Sequence, residues 1–338
     1  MFRFKFVMDV FQSGAWFGPI CVQNMRAKWL SLLCPADLQV AFAPDPGQVP
    51  LYDPERVTLI SKEEPGWWDH YVYNYKPHFT QRQDKGTAWS LGPNIDLTLP
   101  KPTREVPIVV CSQTFKQHVI DSWRYSSEKI WVIPNMVDPA LFSPGKKADQ
   151  VTVGWVGYDV DDAQIKGAEV IPYLAARFPD VRFEMVFAAP PRYPERYSPQ
   201  KLSNLKLYTA VPHAQMGQLI RRWHVLVSGS KYETGATHML EAMACGVPVI
   251  AASYGAIPEV AASQLILSDM KCTYEPPRYT YTAESLERFA DALAKLLGDR
   301  QLYEQKVRDA LAESKKADPH VIAHKWFDFM RSCQAWPD

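Results

Sequence analysis

Two glutamates eight positions apart, Glu233 and Glu241, sit in the stretch His224 to Glu259, HVLVSGSKYETGATHMLEAMACGVPVIAASYGAIPE. One carboxylate facing a reacting group and a second holding a ribose is a chemistry such a pair can perform. The elements around them follow from residue type. Val225, Leu226 and Val227 form an apolar run suited to a buried parallel strand, and the small, polar residues from Ser228 to Thr234 open it into a loop. A helix follows with Met239, Leu240 and Met243 on its core side, Gly246 as its stop and Pro248 just beyond. Val247 to Ala252 then reads as a second strand. Strand, loop, helix, strand is a parallel crossover, and it puts the loop and the helix start at the carboxyl end of a sheet.

At that helix start the backbone N–H groups of Gly235, Ala236 and Thr237, with the positive end of the helix dipole, make an anion site. Gly235 lets a phosphate approach the backbone closely, and Thr237 adds a hydroxyl donor. At helical pitch, Glu241 lies a little over two turns beyond Glu233. Two plainer readings stand beside this one: an acid at a helix start is ordinary capping chemistry, and a glutamate within a helix is ordinary solvation.

Glu233 and Glu241, with Ala242, Met243, Ala244, Gly246, Pro248, Gly255, Pro258 and Glu259, resemble the EX7E region of family-four retaining glycosyltransferases of the GT-B fold. Weaker echoes extend the resemblance over residues 107 to 260. Val109 to Ser112, the run Ile133-Pro134-Asn135-Met136-Val137-Asp138 and Phe142 are similar to the segment that closes the family's first domain, and Lys166-Gly167 is similar to its KG pair. The resemblance implies an α/β chain of two Rossmann-like domains facing each other across a cleft, with a C-terminal helix crossing back to the first. On that reading residues 1–147 form the acceptor-side domain, 148–317 the nucleotide-sugar domain and 318–338 the returning helix.

It also implies roles. Glu233 lies near the donor sugar, Glu241 holds the nucleotide ribose, and Lys166 meets the diphosphate. A first-domain histidine near the reacting sugar is taken by His78, with His70 as its rival. Gly14 joins Lys166, Gly235, Ala236, Thr237 and Glu241 on the donor side, although Gly14 and Gly18 read equally as turn glycines. No metal and no cofactor are implied; the nucleotide-diphosphate sugar is a co-substrate. The family arginine five positions before the lysine is replaced by Asp161, which leaves the diphosphate to Lys166 alone or to help from Arg192. The run Asp159, Asp161, Asp162 reads as a solvated loop.

Composition bounds these readings. The 338 residues suffice for two cores, with 47% hydrophobic and 22% charged residues as in a globular protein. Thirty-seven basic and 37 acidic residues cancel, giving no general pull toward nucleic acid or an anionic membrane. The six cysteines show no CxxC pair, and buried reduced thiols suit a cytoplasmic location. The acceptor stays open between a glycan, a lipid-linked sugar, a small molecule and a hydroxymethylated base in DNA. A nucleotide-binding scaffold without turnover is the alternative from another class.

Elsewhere, Phe2–Met8, Leu38–Ala43, Val57–Ser61, Ile108–Cys111 and Ile130–Pro134 read as first-domain strands, with helices over Ile20–Leu33 and Thr114–Trp123. From Pro65 to Pro102 regularity fails, and Trp67, Trp68, Tyr71, Tyr73, Tyr75 and Trp89 either stack on a ligand or fill a core. Arg26, Lys28, Trp29 and Leu30 form a basic-aromatic cluster on the first helix, read either as a transient membrane-surface contact or as a solvated face. In the second half, Val151–Val156, Val181–Ala188 and Leu205–Ala210 read as strands. Helices are expected over His213–Trp223, Ala283–Leu297, Leu302–Lys316 and Pro319–Trp336, the last placing Ile322, Trp326, Phe329 and Met330 on one side.

Overall fold

The computed structural model describes residues 2–7, 18–34, 38–42, 58–59, 70–74, 87–90, 105–158, 165–191, 197, 202–275 and 278–333. They divide into two units, one formed by the chain up to Met136 together with the chain from Ala317 onward, the other by Val137–Lys316.

The first unit holds β1 (Phe2–Val7), α1 (Gly18–Leu33), β2 (Leu38–Phe42), β3 (Thr58–Leu59), β4 (His70–Asn74), β5 (Thr87–Ser90), β6 (Ile108–Val110), α2 (Gln113–Trp123) and β7 (Ile130–Val132). Its sheet runs β3-β2-β1-β4-β5-β6-β7, and neighbouring strands are parallel. Here the structure corrects the sequence reading: β4 and β5 fall in the stretch taken as irregular, with His70 paired to Phe4 and Trp89 to Ile108. At five and four residues, bounded by prolines, neither segment carries a periodicity that stands alone. Ile108, Val110, Phe115, Val119, Trp123 and Ile130 form one core of this unit.

The second unit holds β8 (Thr152–Gly157), α3 (Val170–Arg177), β9 (Arg182–Phe187), β10 (Leu205–Thr209), α4 (His213–Ile220), β11 (Val225–Ser228), α5 (Thr237–Ala244), β12 (Val249–Ala252), α6 (Ile257–Val260), β13 (Leu265–Leu267), the hairpin β14 (Cys272–Glu275) and β15 (Arg278–Tyr281), α7 (Ala283–Gly298) and α8 (Arg300–Ser314). Its sheet order is β10-β9-β8-β11-β12-β13, again parallel. The central strands β11 and β12 are buried at every residue, as a sheet covered on both faces requires. Trp155, Phe183, Phe187, Val227, Ile250 and Phe289 meet in its core. α3, α6 and the β14–β15 hairpin went unread in the sequence.

The final helix, α9 (Pro319–Ser332), belongs to the first unit. Ile322, Trp326, Phe329 and Met330 are buried along it as expected. Its pairing with α1 overturns both readings of Arg26 there. Arg26 is buried, with its guanidinium 4.6 Å from the centre of the Trp326 ring, and burial pushes its pKa down to about 10. Leu30 is buried too, so neither residue offers a membrane contact or a solvated face. Among the described residues no helix is long and apolar enough to cross a membrane, and the five described cysteines, at 34, 111, 245, 272 and 333, form no disulfide with one another.

Candidate functional site

The sheet of the second unit presents the carboxyl ends of β8, β11 and β12 together, and three connecting segments converge there. The first is 165–169, the second the loop 229–236 after β11, and the third 254–256 after β12. The loop is held by its own backbone: the Lys231 N–H donates to the Ile165 carbonyl at 2.7 Å, the Ala256 N–H to the Glu233 carbonyl at 2.8 Å, and the Tyr281 hydroxyl to the Gly229 carbonyl at 3.0 Å. Gly167 makes the first junction possible. Its φ is +58°, and a β-carbon on it would stand 1.9 Å from the Gly229 carbonyl oxygen, so only glycine fits. The KG pair is therefore one chemical residue, Lys166, aimed by one steric residue, Gly167.

This frame brings together two predicted residues 67 positions apart. Lys166 Nζ lies 2.6 Å from Glu233 Oε1, with side-chain exposures of 17% and 6%. Burial alone would push the Glu233 carboxyl up. The charges of Lys166 and His238 and hydrogen bonds from Lys166 and Ser230 outweigh it and hold the group below the ordinary carboxylate range. Glu233 is thus a carboxylate at neutral pH, suited to steadying positive charge and unsuited to donating a proton.

α5 starts where the sequence places it, with Thr237 as its first residue. The preceding Ala236 is left-handed, at φ 39° and ψ 46°, and the helix has no side-chain cap. Glu233 is therefore a buried loop residue, and the capping interpretation falls. Solvation falls for Glu241 as well, because Glu241 is buried and its Oε1 lies 2.8 Å from His213 Nε2. The Nδ1 atom of His213 is buried with no hydrogen-bond partner among the described residues. At its other end α5 closes in a Schellman turn, with Val247 N–H donating to the Ala242 carbonyl and Gly246 N–H to that of Met243, both at 3.0 Å.

His238 went unread in the sequence. It is half-buried on the first turn of α5, its Nε2 3.2 Å from the Ser228 hydroxyl. Burial lowers its pKa; the charges of Glu233 and Glu241 oppose this and that of Lys166 adds to it. The signal available was spacing, since His238 and Glu241 stand at i and i+3 on one helix face. A second ion pair also went unread: Lys231 Nζ lies 2.6 Å from Glu169 Oε1 and 4.7 Å from the centre of the Tyr281 ring. Gly14, His78, Asp161 and Arg192 lie outside the described residues.

Residues 195–316 match the family described as glycosyl transferases group 1. The chain is 27% identical over 177 residues to the phosphatidylinositol N-acetylglucosaminyltransferase gpi3 subunit of Schizosaccharomyces pombe, covering 48% of this chain and 37% of that protein. It is 26% identical over 205 residues to D-inositol 3-phosphate glycosyltransferase of Segniliparus rotundus, covering 53% and 44%. The match spans less than half the length of these curated relatives. Among solved structures, sucrose-phosphate synthase from Thermosynechococcus elongatus superposes with a TM-score of 0.73 at 16% identity, over 98% of this chain and 99% of that one. Anabaena Alr3699/HepE in complex with UDP and glucose gives 0.69 at 16%, over 98% and 100%. The chain therefore has the GT-B fold, and its segment 195–316 is similar to the group 1 glycosyl transferases, with Glu233, Glu241 and their partners inside that segment save Lys166, which precedes it.

Proposed function

We propose that the protein is a retaining glycosyltransferase that moves a sugar from a nucleotide-diphosphate sugar to an acceptor hydroxyl without a metal. The observation that carries this reading is the Lys166–Glu233 pair, a cation and a low-pKa carboxylate held together beside the start of α5. In the transfer, the bond from the anomeric carbon to the diphosphate oxygen breaks and its electron pair leaves with the diphosphate. The acceptor oxygen bonds to the same face of the anomeric carbon, and the acceptor proton passes to the departing diphosphate.

Lys166 and the first-turn N–H groups near Gly235, Ala236 and Thr237 meet the negative charge that grows on the leaving group. The Glu233 carboxylate meets the positive charge that grows on the sugar. Glu241, buried and oriented by His213, takes the ribose. HepE was solved with UDP and glucose, and the curated relatives carry inositol in their names. UDP-glucose and inositol phosphates are thus the first donor and acceptor to test, in a panel that includes glycans and hydroxymethylated DNA.

Glu233→Gln tests the reading. It keeps size and hydrogen bonding and removes the charge, so kcat should fall by about a hundredfold while donor affinity changes little. A variant with the parental kcat removes Glu233 from the chemistry. Binding of a nucleotide sugar by the parent with no consumption of any donor in the panel would move the protein to the scaffold class.

A further inference from the structure

The charges of this neutral chain are unevenly placed. A cavity of about 590 Å³ opens at the amino-terminal edge of the second unit's sheet, where β8 begins at Thr152 and β9 at Arg182. Lys146, Lys147, Arg182, Arg221 and Arg222 line it, against one carboxylate, Asp149. Lys166 packs by the carboxyl end of β8, where a β-carbon built on Gly157 would lie 3.3 Å from its Cβ. The six residues of β8 therefore separate this cavity from the Glu233 site by roughly 17 Å at strand rise.

Two of these cations, Lys147 and Arg221, are held by backbone carbonyls. Lys147 Nζ donates to the Gly246 carbonyl at 3.1 Å. Arg221 donates from Nε to the Gly217 carbonyl at 3.0 Å and from Nη2 to the Leu141 carbonyl at 2.9 Å. Neither has a carboxylate partner among the described residues, and burial pushes the Lys147 ammonium down to about 8. Arg182 is the exception, with Nε 2.9 Å from Glu184 Oε1. The contact between Lys146 and Asp149, at 3.3 Å, is almost wholly exposed and screens little. Backbone carbonyls that aim cations while leaving their charge uncompensated prepare a site for an incoming anion.

We propose that this cavity binds phosphate groups, as a free polyphosphate or as the head of an anionic lipid, separately from the donor site. Its volume lies within the range of small-molecule sites.

The test uses the full chain, inorganic tripolyphosphate, and vesicles of phosphatidylcholine with and without phosphatidic acid. Tripolyphosphate should raise the melting temperature saturably. The Lys147→Met/Arg222→Gln double variant, which spares the Glu233 site and whose shift is read from its own ligand-free melting temperature, should bind it at least about tenfold more weakly. Co-sedimentation with phosphatidic acid vesicles that tripolyphosphate competes away, and that the variant loses, assigns the lipid head. A thermal shift without sedimentation assigns a free phosphate compound. Neither effect in the parent, an equal effect in the variant, or a shift reproduced by sodium chloride at the same ionic strength overturns the proposal. Donor affinity measured in the same variant should match the parent's, so failure here and failure of the transferase reading are distinguishable.

Discussion

Gly255 lies against the backbone of Glu233, so that a β-carbon on it would stand 2.3 Å from the Glu233 carbonyl oxygen and 2.9 Å from its amide nitrogen. Its φ of +57° is one that other residues adopt at a cost. The glycine of the motif's second half thus fixes the carboxylate of its first half, through the backbone and the adjoining Ala256–Glu233 hydrogen bond. Gly255→Ala should destabilise the protein by about 1–3 kcal/mol and displace Glu233, lowering kcat at temperatures where the variant is fully folded. Denaturant unfolding and steady-state transfer assays check this. A variant with reduced stability but parental kcat would mean that the clamp does not position the carboxylate.

How far the site was legible follows from where its information lies. The β11–α5–β12 unit is local: an apolar run, a small polar loop, a helix with a glycine stop and another apolar run, and each piece formed in the order read, with Ser228 ending β11 and β12 starting at Val249 rather than Val247. Lys166 and Glu233 were legible as residue types through the motif, but their ion pair spans 67 positions and depends on Gly167 fitting Gly229, which no spacing encodes. His238 was silent because it stands among the apolar residues of a core helix and gains its meaning from Ser228 and Glu233 across the loop. β4 and β5 were silent for the same physical reason: their hydrogen-bond partners, such as Phe4 for His70, are remote in sequence.

The burial of Glu241 changes what its substitution should do. Glu241→Ala strands His213, whose Nε2 would lose its carboxylate partner in a buried place, and should lower stability by about 1–3 kcal/mol for that reason alone. Glu241→Gln retains an oxygen acceptor for His213 and should leave the melting temperature nearly unchanged. If the carboxylate holds the ribose, the glutamine variant should still lose nucleotide affinity by about tenfold, the loss expected when a charged hydrogen bond becomes neutral. Calorimetric titration with the nucleoside diphosphate decides, and an unchanged affinity ends the ribose assignment.

Acid should weaken the fold first through histidines. His238 is lowered by burial, with Lys166 adding to that and the two glutamates opposing it; His224 is lowered by burial and by Lys147. Below about pH 6.5 the unfolded chain protonates these side chains while the folded one does not yet, so the unfolded state binds more protons. Their contribution is therefore complete above that pH and is lost as pH falls toward the folded values. Glu233, whose folded pKa lies below its ordinary 4.5, adds a further loss only in stronger acid. The melting temperature should decline from pH 7 to pH 5, and more gently in His238→Gln. Equal slopes in the two proteins would show that His238 is not a source of the acid sensitivity.

The Lys166–Glu233 pair should separate stability from activity. Lys166→Met removes the cation and leaves a buried carboxylate that keeps the His238 charge and the Ser230 hydrogen bond, and breaking a pair of this burial costs about 3 kcal/mol. Glu233→Gln in the same chain removes the stranded charge, so Lys166→Met/Glu233→Gln should recover most of that stability. Catalysis should not follow, because the leaving diphosphate has lost its cation and the sugar its carboxylate; kcat should stay at or below that of either single variant. Urea unfolding beside steady-state kinetics on all four proteins gives both coupling energies from one double-mutant cycle. Strictly additive stabilities would mean that the 2.6 Å contact carries no net coupling in solution. Recovered activity in the double variant would mean that the two charges serve only to hold each other, and the transfer chemistry would then have to be sought elsewhere on the loop.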